Sequence, residues 1–230
     1  MSTPFTEDTL LADDALLAAE VAGAAGRLLI EVRERERGRT TGRELGRLGD
    51  AEANDLIVSR LGRERPDDAI LSEESADDPA RLDASRVWII DPLDGSREYG
   101  MEGRDDWAVH VGLSINGEAQ VGAVALPDLG LVLSSDASET RAAEATGKMV
   151  VSRSRAPALA EDVAQKVGLE LVGMGSAGAK AMAVVRGEAE IYLHTGGQYE
   201  WDSAAPAAVA LMVAPLVVKP LRLLPVKSAT

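Results

Sequence analysis

Asp91 and Asp94 flank Pro92 and Leu93 at the end of the apolar run Val87-Trp88-Ile89-Ile90, and Gly95-Ser96 follow directly. Two carboxylates this close repel each other unless a cation lies between them, and hard oxygen donors suit Mg²⁺, which is held by few carboxylates together with substrate phosphate and water. Gly95 lets backbone approach a ligand closely, and a helix opening at Ser96 would turn free N–H groups toward an anion. The same residues also make an ordinary polar turn after a core strand, where Asp is favoured for local Asx bonds. An EF-hand is excluded, because Pro92 and Leu93 do not fit a loop that needs acidic or amide ligands at alternate positions.

Further groups could join this pair. Ala69-Ile70-Leu71 runs into Ser72-Glu73-Glu74-Ser75, a second strand that delivers acids at its carboxyl end, although paired glutamates are ordinarily surface residues. Asp50 closes a stretch punctuated by Gly38, Gly42, Gly46 and Gly49. It reads either as the cap of a following helix or as a carboxylate carried to a metal site by a glycine-rich loop. Asp202 lies near a helix start in Glu200-Trp201-Asp202-Ser203-Ala204-Ala205-Pro206, where N-capping is the alternative role. Ser152-Arg153-Ser154-Arg155 brings two arginines to another strand end, suited to phosphate, though surface placement explains them too. Gly173-Met174-Gly175-Ser176-Ala177-Gly178-Ala179-Lys180 resembles a phosphate cradle but lacks the Lys-Ser/Thr pair of a P-loop. His194 is expected at a rim and not as a metal ligand, and Asp105 and Asp106 are expected to be solvated loop residues.

The elements that must position these groups follow from periodicity. Leu17, Val21, Ala24, Leu28 and Val32 predict a long helix over 8–37 whose charged last turns are solvated. Ala53, Leu56, Ile57 and Leu61 predict a second helix that begins at Asp50 and ends before Pro66. The strand at 87–90 should stop pairing at Pro92, which has no N–H to donate. Trp107 to Ile115 and Val121 to Ala125 alternate about Asn116-Gly117, a hairpin signature, and Leu131-Val132-Leu133 extends it to a meander. Beyond that, strands at 149–151, 169–172 and 189–194 alternate with helices at 157–167 and 177–186, an α/β layer pattern.

Composition narrows the function. The chain has 230 residues and a net charge of −14, which argues against nucleic-acid binding and requires any anionic substrate to be drawn in by bound cations or a local positive pocket. It has no cysteine and two histidines, which excludes thiolate chemistry and makes a His-rich zinc site improbable. Neither a leader nor a membrane-length apolar run is evident, so no membrane partner and a cytoplasmic location are expected.

Three stretches, Ser72-Glu73-Glu74-Ser75, Asp91-Pro92-Leu93-Asp94-Gly95-Ser96 and Trp201-Asp202-Ser203-Ala204-Ala205, together resemble the lithium-sensitive, magnesium-dependent phosphatases of the inositol monophosphatase superfamily. Gly49-Asp50-Ala51-Glu52-Ala53-Asn54, 152–155 and 175–180 look most like its CysQ branch, the 3′(2′),5′-bisphosphate nucleotidases. The resemblance implies a layered α/β/α/β/α sandwich, with an N-terminal α+β lobe at 1–135 and a C-terminal α/β lobe at 136–230. It implies hydrolysis of 3′-phosphoadenosine 5′-phosphate to AMP and phosphate in sulfate assimilation, assisted by two or three Mg²⁺ ions, with the sulfated analogue as a further substrate. Inositol monophosphatase or fructose-1,6-bisphosphatase activity is the nearest alternative, and an inactive metal- and nucleotide-binding homologue is another. By the same resemblance Glu73, Asp91, the Leu93 carbonyl, Asp94 and Asp202 ligate metal, and Asp50 with the Ser96 hydroxyl activates water. Gly95, Ser96, Ser152, Arg155, Ser176 and Lys180 contact substrate together with Glu73, Asp94 and Asp202, and a homodimer is compatible. Two departures stand out. Ser96 replaces the family's usual Thr, keeping the hydroxyl but not the methyl that restricts its rotamer. The stretch 207–230 has no glycine and no acid and repeats Pro215, Pro220 and Pro225, an atypical tail expected to expose an edge of the second sheet.

Overall fold

The structure, a computed structural model, describes residues 7–136, 145–156 and 158–213. Helix α1 (Glu7–Arg35) buries Ala15, Ala18, Ala22, Ala25, Leu29 and Val32, a stripe spaced alternately by three and four residues as an amphipathic helix requires. Helix α2 (Gly42–Glu64) lies beside it. The sequence reading ended a glycine loop at Asp50; instead the helix starts eight residues earlier and runs straight through Gly46 and Gly49. These glycines are there for close approach: a Cβ on Gly46 would lie 2.9 Å from the Ser96 carbonyl oxygen, and one on Gly49 would lie 2.9 Å from the Tyr99 ring. Each helix-interior glycine costs roughly 0.5–1 kcal/mol relative to alanine, offset here by seating α2 directly on the segment after Asp94.

Strands β1 (Ala69–Ser72), β2 (Arg86–Asp94), β3 (Ala108–Ile115), β4 (Glu118–Leu126) and β5 (Leu131–Ser134) form one sheet in that order. β1 pairs in parallel with β2, and the rest are antiparallel. Asn116 and Gly117, at φ 53° and 82°, make the hairpin turn that the sequence announces. Pro92 does not end β2. The ladder pairs Asp91 with His110, skips an irregularity, and resumes at Asp94 opposite Ala108, so the missing N–H of proline falls at a bulge. Asp91 and Asp94 therefore flank a distortion inside a strand and do not sit in a turn beyond it. The one-turn helix α3 (Ser96–Tyr99) follows, opened by Gly95 at φ 90°.

The second sheet is parallel, in the order β7 (Glu170–Met174), β6 (Lys148–Ser152), β8 (Ile191–Tyr192). Helix α4 (Ala160–Val167) packs on its outer face through Ala160 and Ala164, against Met149 and Val151. Helices α5 (Ala177–Val185) and α6 (Glu200–Val213) lie between the sheets: Ala179, Met182, Ala205 and Val209 cluster with Ala108, Val124 and Leu126. α1 and α2 cover the other face of the first sheet against Trp88, Ile90, Val109, Val111 and Leu113. The layers thus run helix, sheet, helix, sheet, helix. The atypical tail is partly absorbed, since Ala208 and Val209 are buried on α6, and residues 214–230 lie outside the described residues. No helix among the described residues is long and apolar enough to cross a membrane.

Candidate active site

Both strands of the parallel pair β1 and β2 point their carboxyl ends at one place. Asp91 Oδ1 accepts the Leu93 N–H at 3.1 Å, an Asx bond that holds the bulge and leaves the second oxygen to the site. Glu73 follows β1, its N–H donates to the Ile90 carbonyl, and its carboxyl reaches that of Asp91. Asp50 arrives from α2, one turn beyond the Gly46 contact with Ser96. Asp202 arrives from α6, where Oδ2 accepts the Tyr199 N–H at 2.8 Å, the returning half of a capping box. The alternative role as N-cap does not hold, since Tyr199 occupies that position; Asp202 caps α6 from its third residue, and this uses one of the two carboxylate oxygens.

α6 can deliver Asp202 because the sheet beneath it lacks side chains at two points. A Cβ on Gly122 would lie 2.4 Å from the Ala205 carbonyl oxygen, and one on Gly112 would lie 2.9 Å from the Ala205 nitrogen. Pro206 removes the donor that would otherwise bond the Asp202 carbonyl four residues back.

The charges in this space oppose one another. Burial first, then Asp94 and Glu73, hold the Asp91 carboxyl well above the usual carboxylate range. Burial followed by Glu74 and Glu73 pushes Asp50 up to about 8. Glu73, although open to solvent on one side, is pushed up to about 6 by loss of hydration and then by Asp202. Asp202 is raised by burial and then by Asp94. Asp94 is the exception: burial would raise it, but His110, Ser176 and the Gly178 N–H hold it below its ordinary value. An all-oxygen set of mutually repelling carboxylates has one simple electrostatic remedy, a hard cation among them, and Mg²⁺ fits that donor chemistry.

His110 is a close neighbour of these carboxylates that sequence reasoning passed over. Its side chain is wholly buried; Nδ1 lies 2.9 Å from the Trp201 carbonyl, and Nε2 faces Asp94 Oδ2 at 3.2 Å without the alignment of a hydrogen bond. Ligand atoms of Asp91, Asp94 and His110 all lie within 4.8 Å of one another. Asp94 Oδ2 also accepts Ser176 Oγ–H at 2.6 Å and the Gly178 N–H at 2.7 Å, so the start of α5 grips one oxygen of Asp94. Ser176, at φ 22°, caps α5 with the same hydroxyl by accepting the Ala179 N–H at 2.9 Å.

Asp106 also departs from expectation. It is buried, not solvated, and accepts from Arg104, Arg153 and the Gly175 N–H. Arg153 bonds Glu98 as well, at 3.1 Å, so one arginine at the end of β6 ties the second sheet to α3 and to the segment before β3. Asp105 is exposed as expected.

Above the carboxylates opens a cavity of about 540 Å³, walled by Asp94, Gly95, Ser152, Arg155, Ser176, Lys180 and Asp202 among others. These expected substrate contacts share one space, yet several are engaged. Lys180 Nζ donates to the Gly175 and Ser176 carbonyls and lies 5.2 Å from the Tyr192 ring centroid, and Ser152 Oγ accepts the Arg155 N–H at 3.2 Å. His194 stands at the rim as anticipated, its ring 5.4 Å from that of Tyr192.

Comparison with known proteins agrees with this geometry. The inositol monophosphatase family profile matches residues 12–211. The 3′-phosphoadenosine 5′-phosphate phosphatase of Mycobacterium leprae (strain TN) is 50% identical over 212 residues, covering 86% of this chain and 78% of that protein. The 3′(2′),5′-bisphosphate nucleotidase CysQ of Escherichia coli (strain K12) is 28% identical over 176 residues, 70% of each chain. Among solved structures, CysQ from Bacteroides thetaiotaomicron superposes with a TM-score of 0.73 at 22% identity, covering 87% of this chain and 86% of that one. The chain belongs to the inositol monophosphatase family.

Proposed function

We propose that this chain is a Mg²⁺-dependent 3′(2′),5′-bisphosphate nucleotidase that cleaves the 3′-phosphate from 3′-phosphoadenosine 5′-phosphate, giving AMP and inorganic phosphate in sulfate assimilation. The observation that carries the reading is the mutual approach of Asp50, Glu73, Asp91, Asp94 and Asp202, two of which, Asp94 and Asp202, line a cavity whose walls also carry arginines. The activity named for the relative that is 50% identical points to the same substrate.

Glu73, Asp91, Asp94, Asp202 and the Leu93 carbonyl are the groups that would hold Mg²⁺. Bound there, the ion supplies charge neutralisation and Lewis acidity toward water and phosphate. Asp50 accepts the proton of the attacking water, with the Ser96 hydroxyl orienting that water. The water oxygen bonds phosphorus as the bond from phosphorus to the ribose 3′ oxygen breaks, and the leaving ribose oxygen becomes a hydroxyl by taking a proton from solvent water, to which Asp50 in turn releases the proton it accepted. The grip of Ser176, Gly178 and His110 on Asp94 fixes its other oxygen toward the reacting centre, so the carboxylate does not have to be ordered during the reaction. α3 is a single turn, so its contribution to the phosphoryl group is the few free N–H groups near Gly95 and Ser96 and not a helix dipole. Tyr192 and His194 provide aromatic surface for a base, which favours a nucleotide over a polyol phosphate.

The test is phosphate release from 3′-phosphoadenosine 5′-phosphate, inositol 1-phosphate and fructose 1,6-bisphosphate, with and without Mg²⁺. Fastest turnover of the nucleotide, abolished by chelation, is expected. Equal or faster release from inositol 1-phosphate would remove the nucleotide assignment.

A further inference from the structure

Asn54 is a poor helix former in the middle of α2, a residue whose amide ordinarily competes with the backbone for hydrogen bonds. The structure gives it a task that alanine could not perform. Gly46, Asp50 and Asn54 are spaced by four and lie along one face of the helix. Gly46 admits the Ser96 carbonyl, Asp50 enters the acidic site one turn later, and Asn54 meets the turn after β1 one turn later still. α2 thus reaches the site on both sides of Asp50.

That turn, Ser72-Glu73-Glu74-Ser75, is closed by the Ser75 N–H, which donates to the Ser72 carbonyl at 3.4 Å. The Ser72 hydroxyl accepts the Glu74 N–H at 3.2 Å and gives its own proton to Asn54 Oδ1 at 2.7 Å. Asn54 Nδ2 donates to Ser75 Oγ at 3.3 Å. One amide therefore holds both ends of the turn, and among the described residues every hydrogen bond between α2 and the turn runs through it. The electrostatics act in the opposite sense. Glu73 and Glu74 are exposed, and both press on the buried carboxyl of Asp50. Like charges on α2 and on the turn would drive the two apart were they not fastened.

We infer that Asn54 is a positioning residue that fastens the Glu73-Glu74 turn to α2. Glu73, one of the groups that would hold Mg²⁺, is thereby kept beside Asp50, the group that accepts the proton of the attacking water. This deepens the proposed nucleotidase reading and rests on it. Asn54 acts only through the turn, and its neutral amide joins two acidic segments without adding a further charge.

Calorimetry measures Mg²⁺ binding, and phosphate release is followed against Mg²⁺, in the unsubstituted protein, Asn54→Ala, Glu74→Gln and the double variant, at a temperature where all are folded. Loss of one or two hydrogen bonds should weaken Mg²⁺ binding about 5- to 30-fold in Asn54→Ala and raise the Mg²⁺ needed for half-maximal turnover to match. KM for the nucleotide at saturating Mg²⁺ should be unchanged. Alanine favours the helix, so the unfolding temperature without Mg²⁺ should fall little. Glu74→Gln removes one of the opposed charges, so Asn54→Ala should cost less affinity in that background than in the unsubstituted protein. A Mg²⁺ affinity retained in Asn54→Ala, or a loss just as large beside Glu74→Gln, would overturn the inference. If the unsubstituted protein binds Mg²⁺ and Asn54→Ala binds it equally well, only the role of Asn54 fails. If the unsubstituted protein binds no Mg²⁺, the nucleotidase reading fails and this role with it.

Discussion

Gly178→Ala adds one methyl group at a place where the structure has no room for it. The new Cβ would stand 2.0 Å from His110 Nε2, and ordinary contact begins near 3.4 Å, so the two must separate by more than about 1 Å. His110 cannot retreat easily, because its ring is wholly buried and held at the Trp201 carbonyl. α5 must therefore move, and it takes with it the Gly178 N–H and the Ser176 hydroxyl that hold Asp94. Overpacking of this kind costs about 1–3 kcal/mol, which in a chain of this size lowers the unfolding temperature by roughly 2–4 °C for each kcal/mol. The functional loss should exceed the loss of stability, since a displacement of about 1 Å at a reacting group costs on the order of 100-fold in rate. Thermal unfolding together with Mg²⁺-dependent phosphate release under conditions where the variant is fully folded separates the two effects. Wild-type turnover and an unchanged unfolding temperature in Gly178→Ala would refute the packing of α5 on His110 and the orientation of Asp94 derived from it.

Other substitutions probe the frame. Gly62 lies in the last turn of α2 with nothing within 4 Å of an added Cβ, so Gly62→Ala should stabilise by about 0.4–1 kcal/mol, read as a higher denaturant midpoint. Asp14 is a buried carboxylate that accepts from Arg65 at 2.7 Å and Arg86 at 2.8 Å, and Asp14→Ala should destabilise by about 1–3 kcal/mol, less than a fully buried pair because both arginines can regain water. Turnover per folded molecule should be unaffected. Glu190 ties β8 to the start of β6; loss of hydration opposes its ionisation, but the Lys148 and Thr146 N–H groups, the Thr146 hydroxyl and the Gly147 N–H together outweigh it and hold it down to about 2. Its folded value lies below the ordinary 4.5, so the stabilisation it provides is complete above 4.5 and disappears as pH falls toward about 2. The difference in unfolding temperature between the unsubstituted protein and Glu190→Gln should shrink across that interval, and a pH-independent difference would contradict this role.

Much of the frame was legible because it depends on local pattern. The hairpin at Asn116-Gly117, the stripe of α1 and the alternation of the second half all follow from short-range periodicity, and their order fixes the layers. The errors arose where tertiary contacts gave a residue a role that local rules do not anticipate. Gly46 and Gly49 read as helix breakers, yet they are the contact surface of α2 against α3 and its surroundings. Pro92 read as a strand terminator, yet the ladder resumes at Asp94 beyond a bulge. Asp106 read as solvated, because its partners Arg153 and Gly175 lie 47 and 69 positions away. His110 left one signal: it is the one ionisable residue of β3, and the pairing of β3 with β2, which no short turn announces, sets it opposite Asp91. The carboxylates Glu73, Asp91 and Asp202 could be singled out in the sequence because acids that follow an apolar run or open a helix stand where a fold presents chemistry, and the structure brings them to one place.

The central claim is that these carboxylates are arranged for a cation, and the thermal unfolding temperature of the unsubstituted protein and of Asp91→Asn, each with and without Mg²⁺, tests it most directly. Asp91 is buried among like charges, so the account predicts that Asp91→Asn unfolds at a higher temperature than the unsubstituted protein when Mg²⁺ is absent. It also predicts that added Mg²⁺ raises the unfolding temperature of the unsubstituted protein and leaves that of Asp91→Asn nearly unmoved. An unsubstituted protein indifferent to Mg²⁺, or an equal Mg²⁺ response in both proteins, would contradict it.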